Sequence, residues 1–387
     1  MTAGRQSFAG KAAVAGVGMT ELSRDSGRSV LELALEASRA AITDAGLGPQ
    51  DVDAVLCYHM NDSTPAAYLA SALHLQDPVW TNEFYSGGTQ CASILGDAAM
   101  LIESGTASSV LVYRALNGRS GKRMGQTALR IGAGAEEQFS LPYGMLGPVH
   151  LFALAAQRWM HETGADESDL AAVVRHSRDH ASRNPRAIFR KPMAREEYFG
   201  LPYVATPLRR ADCCLESDGA VALLVTRTDI ADAARPGSPR IRAAVRGGGP
   251  GASAMDRAPD VSRLFSSSLA APLYERAGMS PADVDLAMVY DAYSFVVPVQ
   301  LEDFGLVPPG ESGAFLRAGA ADFDGRLPVN PHGGLLSEGY VHGLNNIAEA
   351  VRQLRGDAVA NQVRDPSVAL CTGFGGSLGS AAILERV

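Results

Sequence analysis

The sequence predicts an α/β protein made of two copies of one unit interrupted by a large insertion, and three observations carry that expectation. The first is an internal repeat: AGLGPQDVDAVLCYH, from Ala45 to His59, recurs as AGMSPADVDLAMVYD, from Ala277 to Asp291, with Asp-Val-Asp in the same place. The second lies downstream, where Gly88 opens a helical run closing at Gly105 and Gly339 opens one of equal length closing at Gly356. The third is that a continuous aliphatic strand follows each run, SSVLVYRA from Ser108 and SVALCTG from Ser367. Such strands alternating with amphipathic helices belong to a largely parallel sheet covered on both faces.

Taken in order, residues 1–116 read as the first part of an N-terminal half, 117–208 as an inserted loop domain, 209–235 as the completion of that half and 236–387 as the C-terminal half. Each repeat has a helix ending at Ala-Gly, a proline turn and a buried strand. The insertion carries a helical run, Val149 to Thr163, with Leu151, Leu154, Ala155 and Trp159 on it, and a polar stretch, SRNPRAIFRKPMAREEY. It lacks strand alternation, and a loop domain laid over the first half is where specificity would reside. ADCCLESDGAVALLVT, from Ala211, reads as a turn at Asp218-Gly219 followed by a buried strand.

At 387 residues, with 46% apolar and 20% charged residues, the chain has the composition of a globular protein, and no stretch approaches the roughly 20 apolar residues of a membrane span. Met1 to Gly10 has one Arg and no apolar core, unlike a signal peptide, so a cytoplasmic location is expected. A net charge of −8 without a Lys/Arg block argues against nucleic acid, leaving open only a local phosphate contact at the basic segment Arg183 to Arg195. The five cysteines, Cys57, Cys91, Cys213, Cys214 and Cys371, lack CxxC spacing, which argues against a disulfide framework and a zinc site.

The two halves, the insertion and the segments PLRRADCCLESDGA, NPHGGLLSEGY and LCTGFGGSLGS together resemble the thiolase superfamily across essentially the whole chain, and most of all the thiolase-like lipid-transfer proteins related to the thiolase domain of sterol carrier protein X. That resemblance implies a five-layered α-β-α-β-α fold, a homodimer and a CoA thioester held between the loop domain and the two halves. It also implies that SSVLVYRA is an uncovered strand pairing across the dimer axis. Thiolases place a nucleophilic Cys at the start of the first buried helix. The matching position here is Gly88, in YSGGTQCAS, so no acyl group can be carried there. Tyr340 stands where the family's catalytic His would be, with His332 before the turn and His342 two residues on. In VYDAYS, Tyr290 takes the Asn/His place, Asp291 the acidic place and Tyr293 the aromatic place, while Cys371-Thr372-Gly373 keeps the Cys-x-Gly motif whose cysteine is an acid/base in thiolases.

Glycine for cysteine and tyrosines for the other groups resemble the retro-aldolases that shorten steroid CoA thioesters, releasing a ketone and a short acyl-CoA such as propionyl-CoA. These work with a small partner bearing a zinc ribbon and an OB fold, so a separate partner and a heterotetramer are implied. Retro-aldol cleavage of a 3-hydroxyacyl-CoA needs a base for the hydroxyl, an acid for the α-carbon and donors for the thioester oxygen. Tyr290 and Tyr340 are the expected acid/base pair, provided that donors or a positive end lower their pKa, and Cys371 is a candidate proton shuttle. Gly88, Asp291, Tyr293, His332, His342 and Gly373 are expected around the substrate. No metal or resident cofactor is expected, CoA entering as part of the substrate. GFGGSLG from Gly373 leads into a strand, AAILERV, so it reads as a glycine wall and not a dinucleotide loop. The alternatives are an acyltransferase using Cys91 or Cys371, although Cys91 faces away from Gly88 by helical geometry, and a non-catalytic acyl-CoA-binding subunit.

Overall fold

The computed structural model describes residues 10–76, 80–121, 123, 141–145, 147–250, 252, 255 and 258–387. The expectation drawn from Met1 to Gly10 therefore lies almost wholly outside the described residues. The first half runs β1 (Ala12–Met19), α1 (Val30–Asp44), β2 (Ala54–His59), α2 (Ala66–Ala72), β3 (Trp80–Tyr85), α3 (Ser93–Glu103) and β4 (Ser109–Asn117). The insertion contributes α4 (Pro148–Thr163), α5 (Glu167–Arg183), α6 (Arg195–Phe199) and a small hairpin, β5 (Tyr203–Ala205) with β6 (Leu208–Arg209). β7 (Asp218–Arg227) and α7 (Thr228–Ala234) return to the first half. The second half holds β8 (Arg240–Gly247), α8 (Ser266–Ala277), β9 (Leu286–Met288), α9 (Val296–Asp303), α10 (Ser312–Arg317), α11 (Gly334–Ser337), α12 (Leu344–Arg355), β10 (Val368–Phe374) and β11 (Gly379–Glu385).

Local chemistry explains these bounds. Ser29 and Glu32 close a reciprocal capping box at the start of α1, and Asp166 with Asp169 does the same for α5. The repeated Asp-Val-Asp has one job in both halves. Asp53 accepts from the amides of Ser108 and Ser109 at 2.8 and 3.0 Å, and Asp285 accepts from those of Ser367 and Val368 at 2.9 and 3.0 Å. Each carboxylate thus fixes the start of the strand beside it, β4 or β10.

Among the described residues the strands pair in the order β3-β2-β4-β7-β1-β8-β11-β10-β9, the two halves meeting where Ala13 of β1 pairs with Arg240 of β8. α1 and α7 cover the outer face of the first half, and α8 covers β8 and β11 of the second. α3 touches β4 and β7 on one side and β8 and β11 on the other; α12 likewise touches β1 and β7 and then β9 and β10. These two buried helices form the middle of five layers, as the resemblance implies. Parallel pairing joins β2 to β3 and β4, and β9 to β10, whereas β1, β7, β8 and β11 run antiparallel to their neighbours.

Three expectations fail. The sheet is not largely parallel, because β7 and β11 return beside β4 and β10 as antiparallel neighbours and the two halves also join antiparallel. Asp218-Gly219 is no turn: both residues lie in β7, and the Asp218 carboxylate instead gathers the amides of Ser26, Arg119 and Ser120. SSVLVYRA is no uncovered strand either, because β4 pairs with β2 on one side and β7 on the other and is buried along its length. Among the described residues the edge of this half is β3, whose residues are mostly exposed. A mostly apolar run reads alike in a central strand and a dimer-forming edge, so its pattern does not separate them.

Candidate active site

The backbone around Tyr290 is held by side-chain amides. Asn330 bonds both polar groups of Val289, donating to its oxygen at 2.8 Å and accepting from its nitrogen at 2.9 Å, and Asn346 donates to the same oxygen at 3.1 Å. Tyr290 donates its amide to Thr372 Oγ1 at 2.8 Å, and its carbonyl accepts from Gln300 at 3.0 Å. Thr372 and Gln300 are joined to each other at 2.7 Å. Tyr340 donates its amide to Ser217 Oγ at 3.0 Å. The result is that the two phenolic oxygens meet at 2.8 Å, across 50 residues of sequence. Tyr290 is 1% exposed and Tyr340 9%, so the pair has an inner and an outer member.

Gly88 lies against this pair. A Cβ built there would fall on the hydroxyl and ring of Tyr290, far inside any permissible contact, so Tyr290 occupies the space that a side chain at position 88 would need. Gly373 completes the wall: its Cβ would come within 2.7 Å of the Gly88 carbonyl and 2.9 Å of Cys91 Sγ. Cys91 and Cys371 are both fully buried, and Cys91 donates to the Thr372 carbonyl at 3.5 Å. Burial pushes both thiols well above their ordinary range, which keeps them protonated.

Behind Tyr340 lies a charged network of which sequence reading named only His342. Arg114, fully buried on β4, holds Asp62 at 2.6 Å and donates from Nε and Nη2 to His342 Nδ1 at 3.1 and 2.8 Å. Because Nδ1 accepts, the ring proton belongs on Nε2. Burial first, and then the Arg114 charge, push His342 down to about 3, so its imidazole is neutral. Its ring stands edge-on to Tyr340 with centroids 4.9 Å apart, and its backbone is held in the left-handed region at φ +46°. An arginine inside the otherwise apolar run SSVLVYRA was the available signal, since arginine is buried only when paired.

Asp291 and His332 are each 1% exposed and serve the turn beneath the site. Asp291 accepts from the amides of Leu335 and Leu336 at 2.8 and 3.2 Å, and His332 Nε2 lies 3.1 Å from Asn346 Oδ1. Tyr293 instead packs on Phe152 of α4 at 4.6 Å, Phe152 continues to Phe374 at 5.2 Å, and Phe374 reaches Tyr290 at 6.2 Å. An aromatic wall therefore runs from the insertion to the tyrosine pair. A cleft of about 230 Å3 opens beside the β10–β11 hairpin, lined in part by Gly249, Arg263, Ser267, Ser268 and Ser377.

One expectation about the chemistry reverses. Burial raises Tyr290 and Tyr340 above the ordinary phenol range instead of lowering them, because a phenolate is poorly solvated there. The Arg114 charge acts in the opposite sense on Tyr340, against that rise.

Comparison with known proteins agrees with this architecture. Residues 251–385 match the thiolase C-terminal domain-like family. Over 361 residues, 91% of this chain and 93% of the relative, the sequence is 40% identical to the 17-hydroxy-3-oxo-4-pregnene-20-carboxyl-CoA lyase of Mycobacterium tuberculosis. Over 390 residues, 97% of this chain and 98% of the relative, it is 38% identical to the steroid side-chain-cleaving aldolase of Thermomonospora curvata. The solved Ltp2-ChsH2(DUF35) aldolase superposes with a TM-score of 0.92 at 36% identity, covering 98% of this chain and 99% of that one.

Proposed function

This chain belongs to the thiolase superfamily, in the branch that holds the steroid side-chain-cleaving aldolases, and from that premise we propose that it is a lyase cleaving a 3-hydroxyacyl-CoA by retro-aldol chemistry. The observation that carries the reading is the Tyr290–Tyr340 hydroxyl pair, seated where a side chain on residue 88 would otherwise stand. A covalent acyl-enzyme has no nucleophile at that position, whereas a retro-aldol step needs none.

The compound named for the M. tuberculosis relative, a 17-hydroxy steroid bearing a CoA-thioester side chain, is such a 3-hydroxyacyl-CoA. We carry that class to this chain, with a steroid ketone and propionyl-CoA as products. Tyr340, the outer tyrosine, takes the hydroxyl proton. The electron pair of the breaking carbon–carbon bond moves onto the thioester as an enolate, and the α-carbon then receives a proton. Nothing is oxidised and no water is consumed. Because burial opposes a standing phenolate, the proton passes along a relay of substrate, Tyr340 and Tyr290, with Arg114 favouring transient charge on Tyr340. The aromatic wall of Phe152, Tyr293 and Phe374 suits a flat apolar ring system, and Arg263 at the neighbouring cleft suits the anionic CoA arm. A small partner that helps hold the CoA ester is supported by the two-protein name of the structural relative.

The test removes one hydroxyl at a time. Tyr290→Phe and Tyr340→Phe should each fold normally and slow ketone release by roughly 10²–10⁴-fold, with a smaller change in KM. Their double variant should fall well short of additive, and Cys91→Ala should keep most activity. Near wild-type turnover in both Phe variants would overturn the assignment; loss of activity in Cys91→Ala with substrate-protected alkylation would favour acyl transfer.

A further inference from the structure

On α5, inside the insertion, His176 and His180 stand one turn apart with ring centroids separated by 4.2 Å. Each ring commits one nitrogen to a backbone carbonyl: His176 Nε2 lies 2.9 Å from the oxygen of Val329, and His180 Nδ1 lies 3.1 Å from that of Asn330. A carbonyl only accepts, so these nitrogens carry the protons and the opposite nitrogens of the neutral rings are lone pairs. Both lone pairs turn toward one carboxylate, with Asp322 Oδ1 3.4 Å from His176 Nδ1 and 4.0 Å from His180 Nε2. His176 Nδ1 is buried and makes no hydrogen bond, and the Phe323 amide donates to His180 Nε2 at 3.2 Å. The His180 lone pair is thus held by the Phe323 amide, while the buried His176 lone pair faces the Asp322 carboxylate with nothing between them, a repulsion that a cation among the three groups relieves.

The spacing suits a metal ion. The three donor atoms lie within 4.8 Å of one another. A tetrahedral ion with bonds of about 2.0–2.1 Å requires donor–donor edges of roughly 3.3–3.4 Å, which the His176–Asp322 edge already has. The His180–Asp322 edge closes by rotating the Asp322 side chain, 48% exposed, and the His176–His180 edge by tilting the two rings toward each other, at the cost of the Phe323 bond. The carbonyl anchors on the far nitrogens fix tautomer and ring orientation, as partners behind metal-bound histidines do. A cleft of about 360 Å3 lined in part by Arg175, His176, Asp179, Arg317 and Asp322 provides the way in.

We propose that His176, His180 and Asp322 form a site for a divalent ion of the Zn2+ or Co2+ class, which imidazole and carboxylate together favour. The ion ties the insertion to the C-terminal half. It also braces the active site, since His180 holds the carbonyl of Asn330 and Asn330 holds Val289, the neighbour of Tyr290. The sequence signal is the i, i+4 histidine pair on a helix, which cysteine spacing does not reveal.

The test uses the tag-free, full-length chain, stripped with chelator and titrated with Co2+ near neutral pH. One equivalent should bind with a visible ligand-field spectrum, Asp322→Asn and His176→Gln should each weaken it at least tenfold, and Zn2+ should raise the unfolding temperature of wild type but not of Asp322→Asn. His59→Gln, in the separate group Cys57, His59 and Glu83, should leave binding intact. No stoichiometric uptake would mean that a proton bridges His176 and Asp322 and would overturn the proposal. Loss of binding in His59→Gln with retention in Asp322→Asn would overturn it equally.

Discussion

A side chain at residue 88 and Tyr290 exclude one another, and that makes the change of chemistry hard to reverse one residue at a time. Gly88→Cys puts its Cβ onto the Tyr290 hydroxyl. It should therefore give no acyl transfer, lower cleavage by roughly 10²-fold or more by displacing that hydroxyl, and cost about 1–3 kcal/mol of stability through overpacking. Product analysis for both reactions, with a denaturation curve, checks all three; a folded variant that still cleaves at wild-type rate would show the contact to be inessential. His342 carries a pH signature. Its folded pKa of about 3 lies below the unfolded value of about 6.5, so its neutral form contributes stability that is complete above pH 6.5 and is lost as pH falls toward 3. The stability of wild type relative to His342→Gln should then decline by roughly 1.4 kcal/mol per pH unit below 6.5, about 2 kcal/mol by pH 5. Denaturant midpoints for both proteins at several pH values test this, and parallel curves would contradict it. Tyr290, Tyr340 and Gly88 were legible in the sequence because each sits at a fixed place in a short motif. Arg114 and Asp62 were not, because the links from Arg114 to His342 and to Asp62 span 228 and 52 residues and follow no local pattern.

At the scale of elements, the repeat predicts more than topology. Asp53 and Asp285 perform equivalent tasks, each accepting two amides at the start of a strand, and they share no hydrogen-bond partner. Asp53→Ala and Asp285→Ala should each cost about 0.5–1.5 kcal/mol, the net worth of hydrogen bonds that water partly replaces at these half-exposed strand starts, and the double variant should cost their sum. Strong non-additivity in chemical denaturation would mean that the starts of β4 and β10 are coupled through the middle layer. The bounds of α4 and β11 follow from their own residues, a periodic apolar run and a short aliphatic tail. β7 does not: its Asp-Gly looks like a turn, and only the three backbone amides brought to Asp218 from elsewhere make it the beginning of a strand.

At the scale of the molecule, the exposed sheet edge among the described residues is β3, where Trp80 and Tyr85 are 45% and 65% exposed beside Tyr68 of α2 at 66%. Unpaired strand edges with exposed aromatics invite pairing with another chain, so the homodimer expected for this family is best sought through β3. Trp80→Lys combined with Tyr85→Lys should convert a dimer to a folded monomer by light scattering; a wild-type monomer at micromolar concentration would refute the dimer outright. Among the described residues no helix is long and apolar enough to cross a membrane. The sequence by itself determined the duplicated α/β plan, the extent of the insertion helix Val149 to Thr163 and the absence of a nucleophile at residue 88, since repeats, periodicity and motif positions are local properties of the chain. Only the tertiary structure decided which strand lies at the edge, that burial raises both tyrosines, and that Arg114 and His342 stand behind them. Strand order and desolvation are set by contacts between segments far apart in sequence, and no local pattern encodes them.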